Sequence, residues 1–229
     1  MFRKRVNHKS DIDYGTGVLP YQDLVSLAKA GVIFADEEIE DNQIQPASID
    51  LRLGRKAWRL QASFLPGPDR AVAEKVKDFC LHEIDLSNGA LLERGCVYIV
   101  PLLEALDLPQ DLCGVANPKS SVGRLDIFTR LITDGAADFD VVRRGYCGNL
   151  YAEIFPRTFS VIVTAGARLN QLRITCGDSE VENAELEKLL GEQAVLDRSL
   201  SETELGTISR GVPISVDLVG INGADFVGY

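Results

Sequence analysis

From Ser48 onward the chain is written in short apolar stretches, each broken by glycine, proline or an Asn-Gly pair. Ser48-Ile49-Asp50-Leu51-Arg52-Leu53 alternates strictly until Gly54, the period of a strand with two unlike faces. Further strands are expected at 83–86, 90–92, 96–100, 149–155, 160–163 and 168–174, with turns such as Pro66-Gly67-Pro68 and Ser87-Asn88-Gly89 between them. Strands this short and this frequent predict a mainly β barrel or sandwich and exclude a βαβ sheet. Helices are expected at 21–30, with Leu24, Leu27 and Ala28 as its apolar stripe and Gly31 as its stop, and at 71–79. A polar helix over 182–197 has only Leu186, Leu189, Leu190 and Val195 for an apolar face.

Hydrophobic residues make up 45% of the 229 residues, enough for a real core. No run of about twenty apolar residues exists to span a membrane. The polar stretch 1–13 lacks the apolar segment of a secretory signal. We read residues 1–18 as a tail, 19–177 as a β domain, 178–211 as an acidic helical connector and 212–229 as the start of a second, incomplete β unit. The five cysteines are odd in number with no C-x-x-C pair. That fits reduced thiols in a cytoplasmic protein better than a disulfide framework or a zinc site. The net charge of −10 argues against nucleic acid as a partner. Yet residues 119–173 hold eight basic against five acidic side chains, a local balance of +3, whereas 178–204 carry −7. A basic centre in an acidic protein suits a small anion such as a phosphate, or is ordinary surface variation.

Three segments carry chemistry. In the strand 149–155, period two places Leu150, Ala152 and Ile154 on one face and Tyr151, Glu153 and Phe155 on the other. Burial between the two aromatics would favour the protonated form of Glu153, as acid–base work requires. Taken alone, the strand fits a glutamate at a solvated rim better. Next, Lys119-Ser120-Ser121 with Arg124 and Leu125 brings hydroxyls and cations together around Gly123. Such a turn can cradle phosphate oxygens, and it equally suits a serine-capped helix start. Finally, Gly145-Tyr146-Cys147-Gly148 reads as a tight hairpin that presents an aromatic ring, or as a plain hairpin.

Together these pieces resemble the dCTP deaminase family, which shares its fold with trimeric dUTPases. The stretch from Ile44-Gln45-Pro46-Ala47-Ser48 to Gly54 is similar to the family's opening strand, and Lys119-Ser120-Ser121 with Arg124-Leu125 to its K-S-S-x-x-R-L loop. Gly145-Tyr146-x-Gly148 followed by Glu153 resembles its G-[YW]-x-G turn and catalytic strand. Gly166-x-Arg168-Leu169-x-Gln171-Leu172 resembles its G-x-R-I-x-Q-L closing strand. The likeness covers residues 19–174. It is nearest to a longer bacterial branch of two fused units, which shares the Ala62-Ser63-Phe64-Leu65-Pro66-Gly67-Pro68 insertion and Pro156-Arg157-Thr158-Phe159.

The resemblance implies a dUTPase-like distorted β-barrel of the β-clip type with a few short helices. It implies a homotrimer with sites between subunits, acting on dCTP, with dUTP or dTTP as further ligands. It implies hydrolysis of the cytosine 4-amino group without zinc, and the H-x-E…P-C-x-x-C pattern of zinc deaminases is indeed missing from the sequence. Glu153 would move the protons, Ser120 would hold the water and Arg124 would orient the carboxylate. Lys119, Ser121 and Arg168 would bind the triphosphate, with Mg²⁺ held by its oxygens and water; Tyr146 would pack on the deoxyribose, and Gln171 and Asp140 would also belong to the substrate site. The family's aspartate directly before the G-[YW]-x-G turn is displaced: the nearest is Asp140, with 141–144 intervening. Two other functions stay open: a dUTPase-like or bifunctional diphosphohydrolase in which Asp140 activates water, and a non-catalytic nucleotide-binding or assembly module.

Overall fold

The computed structural model describes residues 14–192 together with 201, 203, 211 and 212. It divides into two compact units, residues 1–179 and 180–229. In the second, the described helix Asn183–Glu192 has Leu186, Leu189 and Leu190 half-buried, the thin apolar face its sequence offers. Val195 and nearly all of the strand expected from 212 onward lie outside the described residues.

The first unit is mainly β, as expected. One sheet runs β11 (Val141–Val142), β9 (Leu112–Pro118), β14 (Arg168–Cys176), β4 (Ser48–Arg52) and β3 (Ile44–Gln45), with β1 (Gly17–Val18) also paired to β14. The other runs β10 (Ile127–Thr133), β12 (Cys147–Pro156), β8 (Val97–Asp107), β5 (Lys56–Leu60) and β6 (Cys80–Asp85), with β2 (Ile33–Ala35) on β8. β13 (Val161–Val163) and β7 (Ala90–Leu92) form a separate pair. Every strand pairing among the described residues is antiparallel. Among the described residues of this unit, three short α-helices accompany the sheets, α1 (Tyr21–Lys29), α2 (Val72–Phe79) and α3 (Ser120–Gly123), with a 3-10 turn at Asp41–Gln43. Gly17 and Val18, expected in the tail, belong to the domain instead. They pair with Cys176 and Thr175, while Tyr14 is buried in the core.

Alternation along the strands feeds two apolar clusters. Leu150, Ala152 and Ile154 of β12 join Val100 of β8 and Leu172 of β14 in the main core, to which both sheets contribute. Tyr151 and Ile99 face the other way, into a smaller cluster closed by Val72 and Val76 of α2 and by Phe64. Phe64 lies in the 62–68 insertion and stacks on Phe79 at 5.3 Å. This strap is tied down where the Gly67 N–H donates to the Ala136 carbonyl and the Gly135 N–H to that of Arg70.

The strand β4 departs from a half-solvated pattern, because all five of its residues are buried. Asp50 ion-pairs with Lys119, and Arg52 pairs with Glu104 at 2.7 Å. Polar side chains enter the interior only when such partners meet them. Gly54, which ends the strand, donates its N–H to the Pro101 carbonyl at 2.8 Å. A Cβ there would sit 2.5 Å from that oxygen, so the close approach requires glycine.

Candidate active site

Glu153 stands mid-strand on β12, opposite Arg130 of β10. It shares the Tyr151 face and is 1% exposed, so the rim-glutamate reading does not apply. Two donors of Arg130 reach Oε1, Nη2 at 2.6 Å and Nε at 3.1 Å. Oε2 is buried and has no hydrogen-bond partner in the described structure. An unpaired carboxylate oxygen out of water is costly, and in active sites such an atom stands ready for a proton or a ligand. Arg130 is itself held. Its guanidinium lies 3.5 Å from the Phe139 ring centroid and 5.0 Å from that of Phe128, and Nη2 also donates to Ser63 Oγ at 3.0 Å. From Glu153 the contacts lead outward through this quarter-exposed arginine to the exposed Ser63 of the strap.

Asp140 belongs to the same neighbourhood. Its backbone is left-handed, at φ 65°, and Oδ1 accepts the Leu131 N–H at 2.7 Å. Burial pushes its carboxyl above the usual range, the Leu131 N–H and Arg130 pull it back, and the charge of Glu153 adds to the rise. Glu153 and Asp140 thus flank one arginine.

A groove of about 320 Å³ is lined by Lys119, Ser120, Ser121, Gln171, Arg173 and the segment 45–48. It gathers Lys119, Ser121 and Gln171, expected at the substrate, together with Ser120, expected at the water. Lys119 arrives already ion-paired with buried Asp50. Arg168 takes no part in the lining, since its guanidinium is bound to Glu40 at 2.7 Å and to the Asn42 carbonyl. Arg173, not anticipated from the sequence, supplies an exposed cation instead.

Within one chain the groove and Glu153 are separate. Arg124 is exposed and makes no ion pair or hydrogen bond to Glu153 among the described residues; Arg130 occupies that place. Arg124 precedes β10, whose entry is closed by the Arg157 N–H on the Asp126 carbonyl. Glu153 lies three residues, about 10 Å, from Pro156 at the end of β12. The hairpin expected to present Tyr146 does the opposite. The ring is 2% exposed in the main core, and its hydroxyl donates to the Asn149 carbonyl and accepts the Asp134 N–H. A Cβ on Gly148 would meet that hydroxyl at 2.7 Å, so this glycine makes room for a buried ring. Arg130, like Arg173, is not singled out by the sequence, although it is the lone cation in the stretch 127–133.

Comparisons with known proteins converge. A profile of the 2'-deoxycytidine 5'-triphosphate deaminase (DCD) N-terminal domain matches residues 15–178. The dCTP deaminase of Halorubrum lacusprofundi is 30% identical over 152 residues, covering 65% of this chain and 71% of the relative. The dCTP deaminase, dUMP-forming, of Halobacterium salinarum is 28% identical over 172 residues, covering 69% of this chain and 80% of the relative. The crystal structure of 2'-deoxycytidine 5'-triphosphate deaminase from Agrobacterium tumefaciens is 50% identical with a TM-score of 0.75. That match covers 78% of this chain and 54% of the solved one, so the chain spans about half of that relative's length. The mainly β fold, the matched profile and these relatives establish that the chain belongs to the 2'-deoxycytidine 5'-triphosphate deaminase family.

Proposed function

We propose that this protein is a cytoplasmic dCTP deaminase that converts dCTP and water to dUTP and ammonia. The observation that carries the proposal is Glu153, buried mid-strand with Oε1 held and Oε2 unpartnered. A carboxylate so placed can take a proton from water as its oxygen bonds to C4. It can then return that proton to the departing amino nitrogen, which leaves as ammonia. The reading puts water activation on this carboxyl, without zinc. The groove with Lys119, Ser121, Gln171 and Arg173 suits a triphosphate. Mg²⁺ enters as the counter-ion of the substrate.

Because groove and carboxylate are apart in one chain, a nucleotide touching both must bridge subunits. We propose a homotrimer in which Ser120 and Arg124 of one subunit complete the Glu153 site of the next. Ser120 would hold the water and Arg124 would orient the carboxylate and supply positive charge beside it. The exposure of both residues supports this.

The test is product analysis with pure protein, dCTP and Mg²⁺. Ammonia and dUTP should appear, and Glu153→Gln should lower kcat at least about 1,000-fold. Binding of dCTP without turnover by the wild-type chain would instead identify a nucleotide-binding or assembly module. A second reading, continuation to dUMP, is favoured by Asp140 beside Glu153, where it could activate water against phosphorus. Pyrophosphate in step with ammonia would establish it.

A further inference from the structure

We infer that Arg130 is the positioning residue of Glu153, fixing Oε1 so that Oε2 alone carries the transferred proton. The inference rests on the proposed deaminase reaction and adds the atom through which it runs. A glutamate has two chemically equivalent oxygens and can rotate either one toward a bound ring. Here that freedom is removed. Nε and Nη2 of Arg130 both converge on Oε1, at 3.1 and 2.6 Å, and a planar guanidinium cannot follow a rotating carboxylate without breaking one of the bonds. The guanidinium is in turn gripped on three sides, by the ring of Phe139, by Phe128 and by Ser63 Oγ. The backbone adds the last constraint, because Arg130 and Glu153 are direct cross-strand partners. Oε2 is then the one oxygen of Glu153 with an open acceptor site. The charge of Arg130 also stays beside the carboxylate while the proton travels from water to Glu153 and on to the leaving nitrogen. No redox partner is needed, and the carboxylate is regenerated when ammonia departs.

The 62–68 insertion gains a role from this arrangement. Phe64 anchors the strap in the outer cluster, and Ser63 Oγ accepts from Nη2, the same nitrogen that donates to Oε1. The strap therefore supports Arg130 without touching the reacting carboxyl.

The test compares wild type, Arg130→Lys, Arg130→Gln and Ser63→Ala as full chains, measuring kcat and KM for dCTP alongside thermal unfolding. Loss of the bidentate grip should lower kcat about 100-fold in Arg130→Gln, since small misplacement of a catalytic group has effects of that size. KM should stay within about threefold, because the arginine does not hold substrate. Arg130→Lys keeps the charge without the fork and should fall between wild type and Arg130→Gln; Ser63→Ala should lose less than about fivefold. Free guanidinium ion at millimolar concentration should restore turnover to Arg130→Gly, and an equal concentration of sodium ion should not. A folded Arg130→Gln with wild-type kcat would overturn the inference, as would a rise in KM with kcat intact. If the glutamine variant does not fold, the lysine variant decides on the same two parameters, unchanged kcat overturning the inference. Absence of ammonia with the wild-type chain would instead sink the deaminase reading, and the role of Arg130 with it.

Discussion

Glu104 is buried at 1% exposure, and three donors converge on its carboxylate. Arg52 Nε and Gln43 Nε2 reach Oε1 at 2.7 and 2.9 Å, and the Arg52 N–H reaches Oε2 at 2.7 Å. Arg52 further donates Nη1 to the Glu38 carbonyl. Removing one member of a satisfied buried pair leaves the other charge without compensation. Glu104→Ala should therefore cost about 3–5 kcal/mol, read as a lower urea midpoint. The paired replacement Arg52→Met with Glu104→Leu should cost markedly less, because no charge is then stranded. A larger loss in the double variant than in Glu104→Ala would contradict this account. The alternation of residues 48–53 shows in the sequence that a strand is present there, but not that Asp50 and Arg52 point into the protein. Their partners Lys119 and Glu104 lie 69 and 52 positions away, and no local pattern carries that pairing. The role of Arg130 is absent from local sequence for the same reason. Its importance comes from the register that sets it across from Glu153, which exists only once β10 and β12 are paired.

The helix α2 begins after Ala71, which offers no side-chain cap. The missing acceptor comes from elsewhere: Asp134 Oδ1 takes the Val72 N–H at 2.8 Å. Asp134→Ala should destabilise the protein by about 1 kcal/mol, the ordinary worth of an N-cap, and should loosen α2, seen as faster amide exchange over Val72–Phe79. The same carboxyl gives a pH dependence whose sign can be worked out. Burial pushes Asp134 above its usual range, against the pull of the Val72 N–H, with Glu74 adding to the rise. A carboxyl raised in the folded state binds its proton more tightly there than in the unfolded chain. It thus contributes stability that is fully present below the unfolded value of about 3.9. That contribution is lost as pH rises through the folded value. Asp134→Asn keeps an acceptor for Val72 and removes the ionisation, so at pH 7 its Tm should equal or exceed that of wild type. The difference should move toward wild type as the solution is acidified through that window. An asparagine variant less stable at pH 7 than at acid pH, relative to wild type, would refute the assignment. Elements of this size were largely legible. α1 and α2 lie within a residue of their expected bounds, and both faces of β12 follow from its alternation. Tyr146 was not legible as a core residue, because Gly148 signals a turn in sequence and shows only in three dimensions the space it leaves for the ring.

On the scale of the molecule, the proposed chemistry is divided between two places that one chain does not join. The hydroxyls and cations near Ser120 line a groove on the sheet that carries β9 and β14, while Glu153 lies on the opposite sheet. Closed symmetric assembly is the economical way to bring such surfaces together, since one interface repeated around an axis completes every site at once. Static light scattering should accordingly give about three times the chain mass of 25.0 kDa. Mass alone does not show which residues meet, but complementation does. Glu153→Gln and Arg124→Gln should each be nearly inactive as pure oligomers, because every site lacks one half. In mixed trimers from co-expression of the two chains, a site formed by the intact Glu153 of one subunit and the intact Arg124 of its neighbour is whole again. With random assembly in equal amounts, about a quarter of sites are of this kind, so turnover should return to about a quarter of wild type. If Arg124 instead served Glu153 of its own chain, no mixture could contain a complete site and turnover would stay at background. The two outcomes differ by the full recovered activity, so the experiment decides between a site shared across subunits and one confined to a single chain.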